Sequence, residues 1–515
     1  MRFSDFTRNF SQKIFLDAFS SFEGTIDLVW DGKKMMRLLN LIVTPNVLTQ
    51  NLNVGKNYSL NNPGHSNAAN LVFLLYASQT SIELVKNWLR KLDEMVSSLP
   101  VNWFPTEQFG LITMDLPQLP PQLFINGDWN YLYQCAKALK QLVDQFGRIP
   151  NFYSKGKWSL RILEIMKKFP ENVRKTSKKS SDSIKNEFKN ISDVVLIDRW
   201  IDPLTPMLRQ STFGGKKKGN VEEIQLNDQV YEQLQDLSVS GVALKLREIV
   251  DELKGEEQQR KSLDSVAQYK NFVAKLPNVV VKRKSTGIFM QLAGVVQQRE
   301  SDDFYRGLLR CEQEIFRNPQ HDKAHPFIEN SLIEMREINS ILRLIILQSL
   351  ISNGLKSSVL QNYTKLIVQS YGISELKLLL KLQLAGLIKD ENFSEKRWEV
   401  SYTPGNFNQL IRKYKFASTD LDEMRKTEVK IGKPSLLIRI IEEGLQKKWT
   451  DFNKTLLETE NKSSEIFSPN NKQTLLFIIG GITRAEMSIL NQLEYKIFCC
   501  TTAFMNANDL INSFK

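Results

Sequence analysis

The sequence predicts an α/β protein with parallel-sheet cores and a large, mainly helical insertion. Three observations predict it. Short apolar runs ending in turn residues alternate with amphipathic helices through residues 25–198. From about residue 227 to about residue 387 the pattern is helix after helix. Strand–helix–strand patterning then returns near the end of the chain. At 515 residues there is room for about three domains. A hydrophobic content of 42% with 24% charged residues suits cores of that size.

The elements follow in order. Residues 25–30, 39–44 and 71–76 are expected strands. Residues 81–97 form an amphipathic helix with Ile82, Val85, Leu89, Leu92 and Val96 on one stripe. The proline-punctuated stretch 102–121 holds a short apolar run at 111–114. A helix is expected at 131–146, a strand at 149–153 and another helix at 159–168. The strand at 194–198 ends at a loop pinned by Pro203 and Pro206, which cannot donate to a ladder. In the helical part, residues 263–276 form a helix that ends before Pro277, and residues 327–352 form one long helix. A less patterned polar region runs to about residue 433. A strand at 474–479 then meets Gly480-Gly481, a Thr483/Glu486 capping box and a helix, with a last strand at 496–501. This order gives a first α/β domain at 1–124. A second is split into 125–226 and 445–515 around a helical domain at 227–444.

Asp198 and Arg199 are expected at the carboxyl edge of a sheet, where α/β proteins keep binding sites. That placement raises one alternative, a nucleotide-dependent enzyme with Asp198 and Asp202 as acid and base. The motifs for it are missing. Gly156-Lys157 is followed by Trp158, so no phosphate loop is present. Gly-x-Gly-x-x-Gly, Gly-x-Ser-x-Gly and His-Glu-x-x-His are all absent. No cofactor is implied. His65, His321 and His325 lack a third ligand at metal spacing, so no metal site is expected. Cys135, Cys311, Cys499 and Cys500 read as buried, reduced thiols. The net charge of +12 concentrates at 174–189 and 216–218, without the aromatics or reading helix of a nucleic-acid binder. Those clusters read as solvated loops or as a bias toward acidic surfaces. No apolar run reaches the roughly 18 residues of a membrane helix. The amino end has no signal core, and neither end carries a lipidation motif. The chain is therefore expected to be cytosolic.

Asp198-Arg199-Trp-Ile-Asp202-Pro-Leu-Thr205-Pro206 resembles the Asp-Arg-x-x-Asp-x-x-Thr-Pro signature of the Sec/Munc (SM) family. Phe477-Ile-Ile-Gly480-Gly481-Ile-Thr483-Arg-Ala-Glu486 resembles that family's late Phe-x-x-Gly-Gly-x-Thr-x-Ala-Glu motif. Thr501-Thr502 and Asn506 match its closing segment, with Ala507 in place of glycine. Segments 341–349, 353–356, 371–372 and 384–389 resemble the vacuolar protein sorting thirty-three branch. The family's Tyr-Glu-Gly is replaced by Phe213-Gly214-Gly215, and the branch's Gly-Tyr-x-Pro-Leu by Gly432-Lys433-Pro434-Ser435-Leu436.

The resemblance implies a three-domain arch of the Sec1 type that binds SNARE helices and is not an enzyme. It implies the SM subunit of the HOPS and CORVET tethering complexes, recruited by a vacuolar protein sorting sixteen-type solenoid subunit. The chain would then be peripheral on late endosome and lysosome or vacuole membranes. SNARE contact is expected at a helical hairpin tip containing Phe272, Leu276, Pro277, Lys282, Arg283 and Lys284. Solenoid contact is expected near Gly432, Lys433, Pro434 and Leu436. The signature residues Asp198, Arg199, Asp202, Thr205, Pro206, Gly480, Gly481, Thr483 and Glu486 are expected to be structural.

Overall fold

The structure is a computed structural model of the chain. It describes residues 3–20, 22–43, 47–48, 52–61, 68–75, 81, 85, 101–105, 111–146, 150–169, 191–208, 229–234, 237, 239–260, 266–317, 322–392, 406–414, 435–455, 473–493 and 496–515.

Helix α1 (Phe3–Phe19), strand β1 (Ile26–Trp30), helix α2 (Gly32–Asn40) and strands β2 (Val54–Ser59) and β3 (Asn70–Leu74) build a small parallel sheet in the order β2-β1-β3. Every residue of β1 is buried, because helices and loops cover both faces of the central strand. Phe15, Phe19, Leu28, Trp30 and Leu39 share one cluster. The expected strands at 25–30 and 71–76 are β1 and β3. The expected strand at 39–44 is corrected at residues 39–43 to the end of α2 and the turn after it, and Thr44 lies outside the described residues. Met35, Leu39, Ile42 and Val43 repeat at helical spacing and bury together, and a short apolar run does not distinguish the two structures. Ser81 and Val85 are helical, and the rest of the helix expected at 81–97 lies outside the described residues.

The second sheet has seven strands. In chain order they are β4 (Phe104–Pro105), β5 (Ile112–Thr113), β6 (Asn151–Lys155), β7 (Ile191–Asp198), β8 (Asn453–Thr455), β9 (Gln473–Ile479) and β10 (Ile497–Thr501). Their spatial order is β4-β5-β10-β9-β7-β6-β8. The five inner strands are parallel, and the edges β4 and β8 are antiparallel. β7 pairs with β9, so the sheet joins segments on either side of the helical region. It also takes strands at 104–105 and 112–113, ahead of the expected boundary at 124. Alternation sorts the central side chains. Val194, Leu196, Leu475 and Phe477 face one cluster, and Val195, Ile197, Leu476 and Ile478 face the other. Helices α3 (Asn130–Val143) and α4 (Lys157–Lys167) fill the first face.

The helical region contains α5 (Val239–Arg260), α6 (Val266–Ser301), α7 (Asp303–Arg317), α8 (His325–Ile333), α9 (Ile338–Ser352), α10 (Ser357–Tyr371) and α11 (Ser374–Leu384). The single helix expected at 327–352 is two helices, α8 and α9. Met335 adopts a φ of 53° in the turn between them, which ends one helical register before the next begins. Residues 341–351 of α9 are buried all round, as befits a helix enclosed by its neighbours.

Helix α12 (Leu436–Gln446) was not anticipated from the sequence. Ser435 caps it, and Leu437, Ile440 and Ile441 pack on the second sheet's other face, before the expected boundary at 445. Helix α13 (Arg484–Gln492) carries the expected capping box, and α14 (Ala507–Ser513) closes the chain.

Candidate functional site

The Asp-Arg signature is a buried lock. β7 ends at Asp198, whose carboxylate accepts the backbone N–H groups of Trp158 and Ser159, both at 2.8 Å. It thereby satisfies orphan donors in the first turn of α4. Gly156 precedes that turn at φ 122°, and a Cβ there would overlap the Asp198 carboxylate. Arg199 is wholly buried. Its Nη1 donates to Glu486 Oε1 at 2.9 Å and Oε2 at 2.8 Å. Its Nε and Nη2 donate to the Asp202 carbonyl at 2.9 and 2.6 Å, and Nη2 is 2.9 Å from Asp202 Oδ2.

The carboxylates are satisfied in turn. Asp202 accepts Thr205 N–H at 3.0 Å, Thr205 O–H at 2.6 Å and Leu437 N–H at 3.0 Å. Glu486 accepts Thr483 N–H at 3.0 Å, Thr483 O–H at 2.9 Å and Ser435 O–H at 2.9 Å. Burial is the largest influence on Asp202 and raises its pKa, with Arg199 opposing and Glu486 adding to it. Burial alone would lower the Arg199 pKa, but Glu486 and Asp202 outweigh it and hold the guanidinium above its ordinary value. One ionic network thus joins β7, α12 and α13. Such networks are satisfied or very costly, because each unpaired buried charge is expensive.

The neighbouring signature residues extend the lock. Trp200 donates its indole N–H to the Ala385 carbonyl at 2.8 Å, at the end of α11. Arg343 on α9 donates to the Met207 carbonyl at 2.9 Å and pairs with Glu312 at 2.7 Å. Pro206 is buried in a short helix, Leu204–Met207. Gly480 has φ 98°, and a Cβ there would come within 2.9 Å of Arg199 Cβ. Gly481 has φ 107°, and a Cβ there would come within 2.6 Å of Met505 Cε. Asp198 and Asp202 are buried and bound by donors, so the alternative acid–base pair at this sheet edge has no accessible carboxylate.

The second feature is the hairpin of α5 and α6. Val242, Leu246, Ile249 and Leu253 of α5 meet Phe289 of α6, with Tyr231 stacked on Phe289 at 5.9 Å between ring centres. Arg484 at the start of α13 donates to Tyr231 Oη at 2.9 Å and ties the hairpin to the second sheet's layer. The outer surface is different. Leu244 is 67% exposed and Val280 61%, and Val281, Met290 and Val295 are exposed as well. Lys282 pairs with Glu252 at 2.8 Å across the hairpin. That hydrogen bond holds the Glu252 carboxyl below its ordinary pKa.

The expected tip is corrected in one respect. Helix α6 runs through Pro277 instead of ending before it. A proline inside a helix costs roughly 3 kcal/mol through its missing donor. Beyond the proline α6 packs against α5, with Val279 and Phe289 in the shared cluster. Phe272, Leu276 and Pro277 therefore belong to the shaft, though their side chains lie outside what the structure describes. Lys282, Arg283 and Lys284 also lie on the shaft, with Lys282 half-buried and the other two exposed. Residues 261–265, which connect the helices, are outside the described residues.

Gly432, Lys433 and Pro434 lie outside the described residues as well. Leu436 is a correction. It is buried in the core under the second sheet and is not available for direct contact with a solenoid partner. The sequence reading missed the exposed Leu244. Its signal was its position off the Val242–Leu246–Ile249–Leu253 stripe.

No group of three metal-binding side chains occurs among the described residues. His325 Nδ1 instead meets Tyr363 Oη at 2.5 Å. The four cysteines are buried, and burial pushes the Cys311 thiol up to about 12.

A family model described as the Sec1 family matches residues 35–513. The chain belongs to the Sec1 family. It is similar to vacuolar protein sorting-associated protein 33A of Caenorhabditis elegans, at 29% identity over 98% of this chain and 95% of that one. It is also similar to the vacuolar protein-sorting-associated protein 33 homolog of Arabidopsis thaliana, at 23% identity over 81% of this chain and 76% of that one. Its fold matches the SM protein Vps45 in complex with the Qa SNARE Tlg2, with a TM-score of 0.60 and 14% identity over 100% of this chain and 98% of that one. It also matches the Unc18–syntaxin 1 complex from Monosiga brevicollis, with a TM-score of 0.59 and 11% identity over 98% of both chains. The expected SM-type α/β fold is the observed one.

Proposed function

We propose that this chain binds SNARE helices and templates their assembly for membrane fusion at the late endosome and the lysosome or vacuole. The observation that carries the reading is the α5–α6 hairpin, which presents Leu244, Val280 and Val281 to solvent in a chain of the Sec1 family. Isolated exposed aliphatics need no explanation, but several on one two-helix element suit an amphipathic partner helix. The solved structure of the SM protein Vps45 with a Qa SNARE bound supports the same reading.

The physics is templating. Two SNARE helices docked in register lose orientational freedom before they zipper, so their encounter becomes effectively intramolecular. The reading is non-catalytic, with Asp198, Arg199 and Asp202 holding the fold. The relatives' names support membership of a HOPS- or CORVET-type tethering complex, with recruitment by a vacuolar protein sorting sixteen-type solenoid subunit. No helix among the described residues is long and apolar enough to cross a membrane.

The test is SNARE-complex assembly from separate helices, followed by fluorescence transfer, with and without the purified chain. The chain is expected to raise the assembly rate at limiting SNARE concentration. An unchanged rate, with no binding to any single SNARE helix, would refute the reading.

A further inference from the structure

The outer face of α3 and α4 carries apolar rings that the core does not use. Leu132, Cys135, Ala136 and Leu139 of α3 and Trp158, Ile162, Leu163 and Met166 of α4 fill the cluster beneath. Trp129 nevertheless stands 52% exposed and Tyr133 49%, with Leu160 exposed beside them. Trp129, Lys157, Leu160, Arg161 and Glu164 line one shallow cavity of about 260 Å³, so the two helices share a continuous surface. Tyr133 is held edge-on to Phe169 at 5.4 Å, just beyond the end of α4. Lys157, Arg161, Lys167 and Lys168 are exposed on the same helix, and Glu164 pairs with Arg161 at 2.9 Å.

We propose that this face of α3 and α4 contacts an anionic phospholipid surface, with Trp129, Tyr133 and Leu160 at the headgroup boundary and the α4 bases above the phosphates. Two features favour lipid over protein. Protein interfaces are poor in lysine, whereas three lysines surround these rings. Tryptophan and tyrosine have an apolar body and a polar tip, which suits the boundary between headgroup and acyl chain. Each base near an anionic membrane strengthens binding by roughly fivefold, so four bases give a salt-sensitive contact. A contact of this kind is reversible and orients a protein already recruited by other means. It does not depend on SNARE binding.

The test is flotation of the full chain with phosphatidylcholine vesicles, or with vesicles of equal parts phosphatidylcholine and phosphatidylserine, at low and high salt. The chain is expected to float only with phosphatidylserine and to be released by salt. Lys157→Glu with Lys167→Glu should weaken binding by roughly 25-fold or more. Trp129→Ala with Tyr133→Ala should weaken it without changing its salt slope, and Glu164→Gln should strengthen it. All of these positions are exposed, so an unchanged melting temperature is expected to show that the variants fold. Inorganic phosphate at matched ionic strength should not compete, because it offers no acyl boundary. Failure to float, equal flotation of wild type and charge variants, or competition by free phosphate would overturn the proposal. Retention on a polyglutamate resin without vesicle binding would also overturn it and give the face to an acidic protein.

Discussion

Glu486→Ala should be among the most damaging single changes in this chain. In the native protein Glu486 accepts two hydrogen bonds from Arg199, two from Thr483 and one from Ser435, all in the dry interior. Removing the carboxylate leaves Arg199 buried with Asp202 as its remaining carboxylate partner. Breaking a buried ion pair from one side costs about 3–5 kcal/mol. Loss of half of the α13 capping box adds about 1 kcal/mol. The sum is about 4–6 kcal/mol, which at a urea m-value of about 3 kcal/mol/M moves the unfolding midpoint by about 1.3–2 M. Thr483→Ala is the internal comparison. It removes the cap hydroxyl and spares the ion pair, so it should move the midpoint by about 0.3 M. Circular dichroism through a urea titration reads both. If the Glu486 and Thr483 variants shift equally, the Arg199 network is not what holds the two segments of the sheet together.

Gly481→Val should destabilise by about 1–3 kcal/mol, because a β-branched residue would be forced to positive φ beside Met505; an unchanged melting temperature would count against this. Lys155 should label unusually fast with amine reagents, with a midpoint near its pKa of about 8, because burial and Lys413 disfavour its charged form. It stands 4.5 Å over the Phe452 ring. Since the unfolded amine titrates near 10.5, unfolding takes up protons between these values and the stability contribution of Lys155 rises with pH across that window. A site-resolved labelling midpoint near 10.5 would contradict the burial. Depleting the proposed solenoid partner should leave the protein diffuse in the cytosol, and microscopy showing persistent organelle association would contradict the proposed recruitment.

The central strands were legible because β7 and β9 contain continuous apolar runs at 194–197 and 475–479, buried on both faces and closed by turn chemistry at Pro203 and Gly480. The Thr483/Glu486 box was legible because capping is local. Four features were not. The run at 39–43 is apolar in both the helical and the extended reading, and only the cluster around Phe15 and Trp30 decides it. β2, with the sequence Val-Gly-Lys-Asn-Tyr-Ser, is an edge strand and carries too little apolar signal. Pro277 marks a helix end locally, yet α6 continues through it. In the lock, Arg199 and Glu486 are 287 positions apart, and no spacing rule reaches across that distance. Family motifs singled out both residues without saying that they touch.

The central claim is that the outward aliphatics of the hairpin hold a SNARE helix. Its most direct test is binding of the chain to surface-immobilised SNARE helices, with association and dissociation rates measured at two salt concentrations. Val280→Glu with Val281→Glu should speed dissociation, because apolar anchors set residence time. Lys282→Glu with Arg283→Glu should slow association at low salt and little at high salt, because rim charges steer encounter. The Lys282–Glu252 pair is on the surface, so losing it should leave the fold intact. Rates indistinguishable from wild type for both variants would remove the hairpin from SNARE recognition.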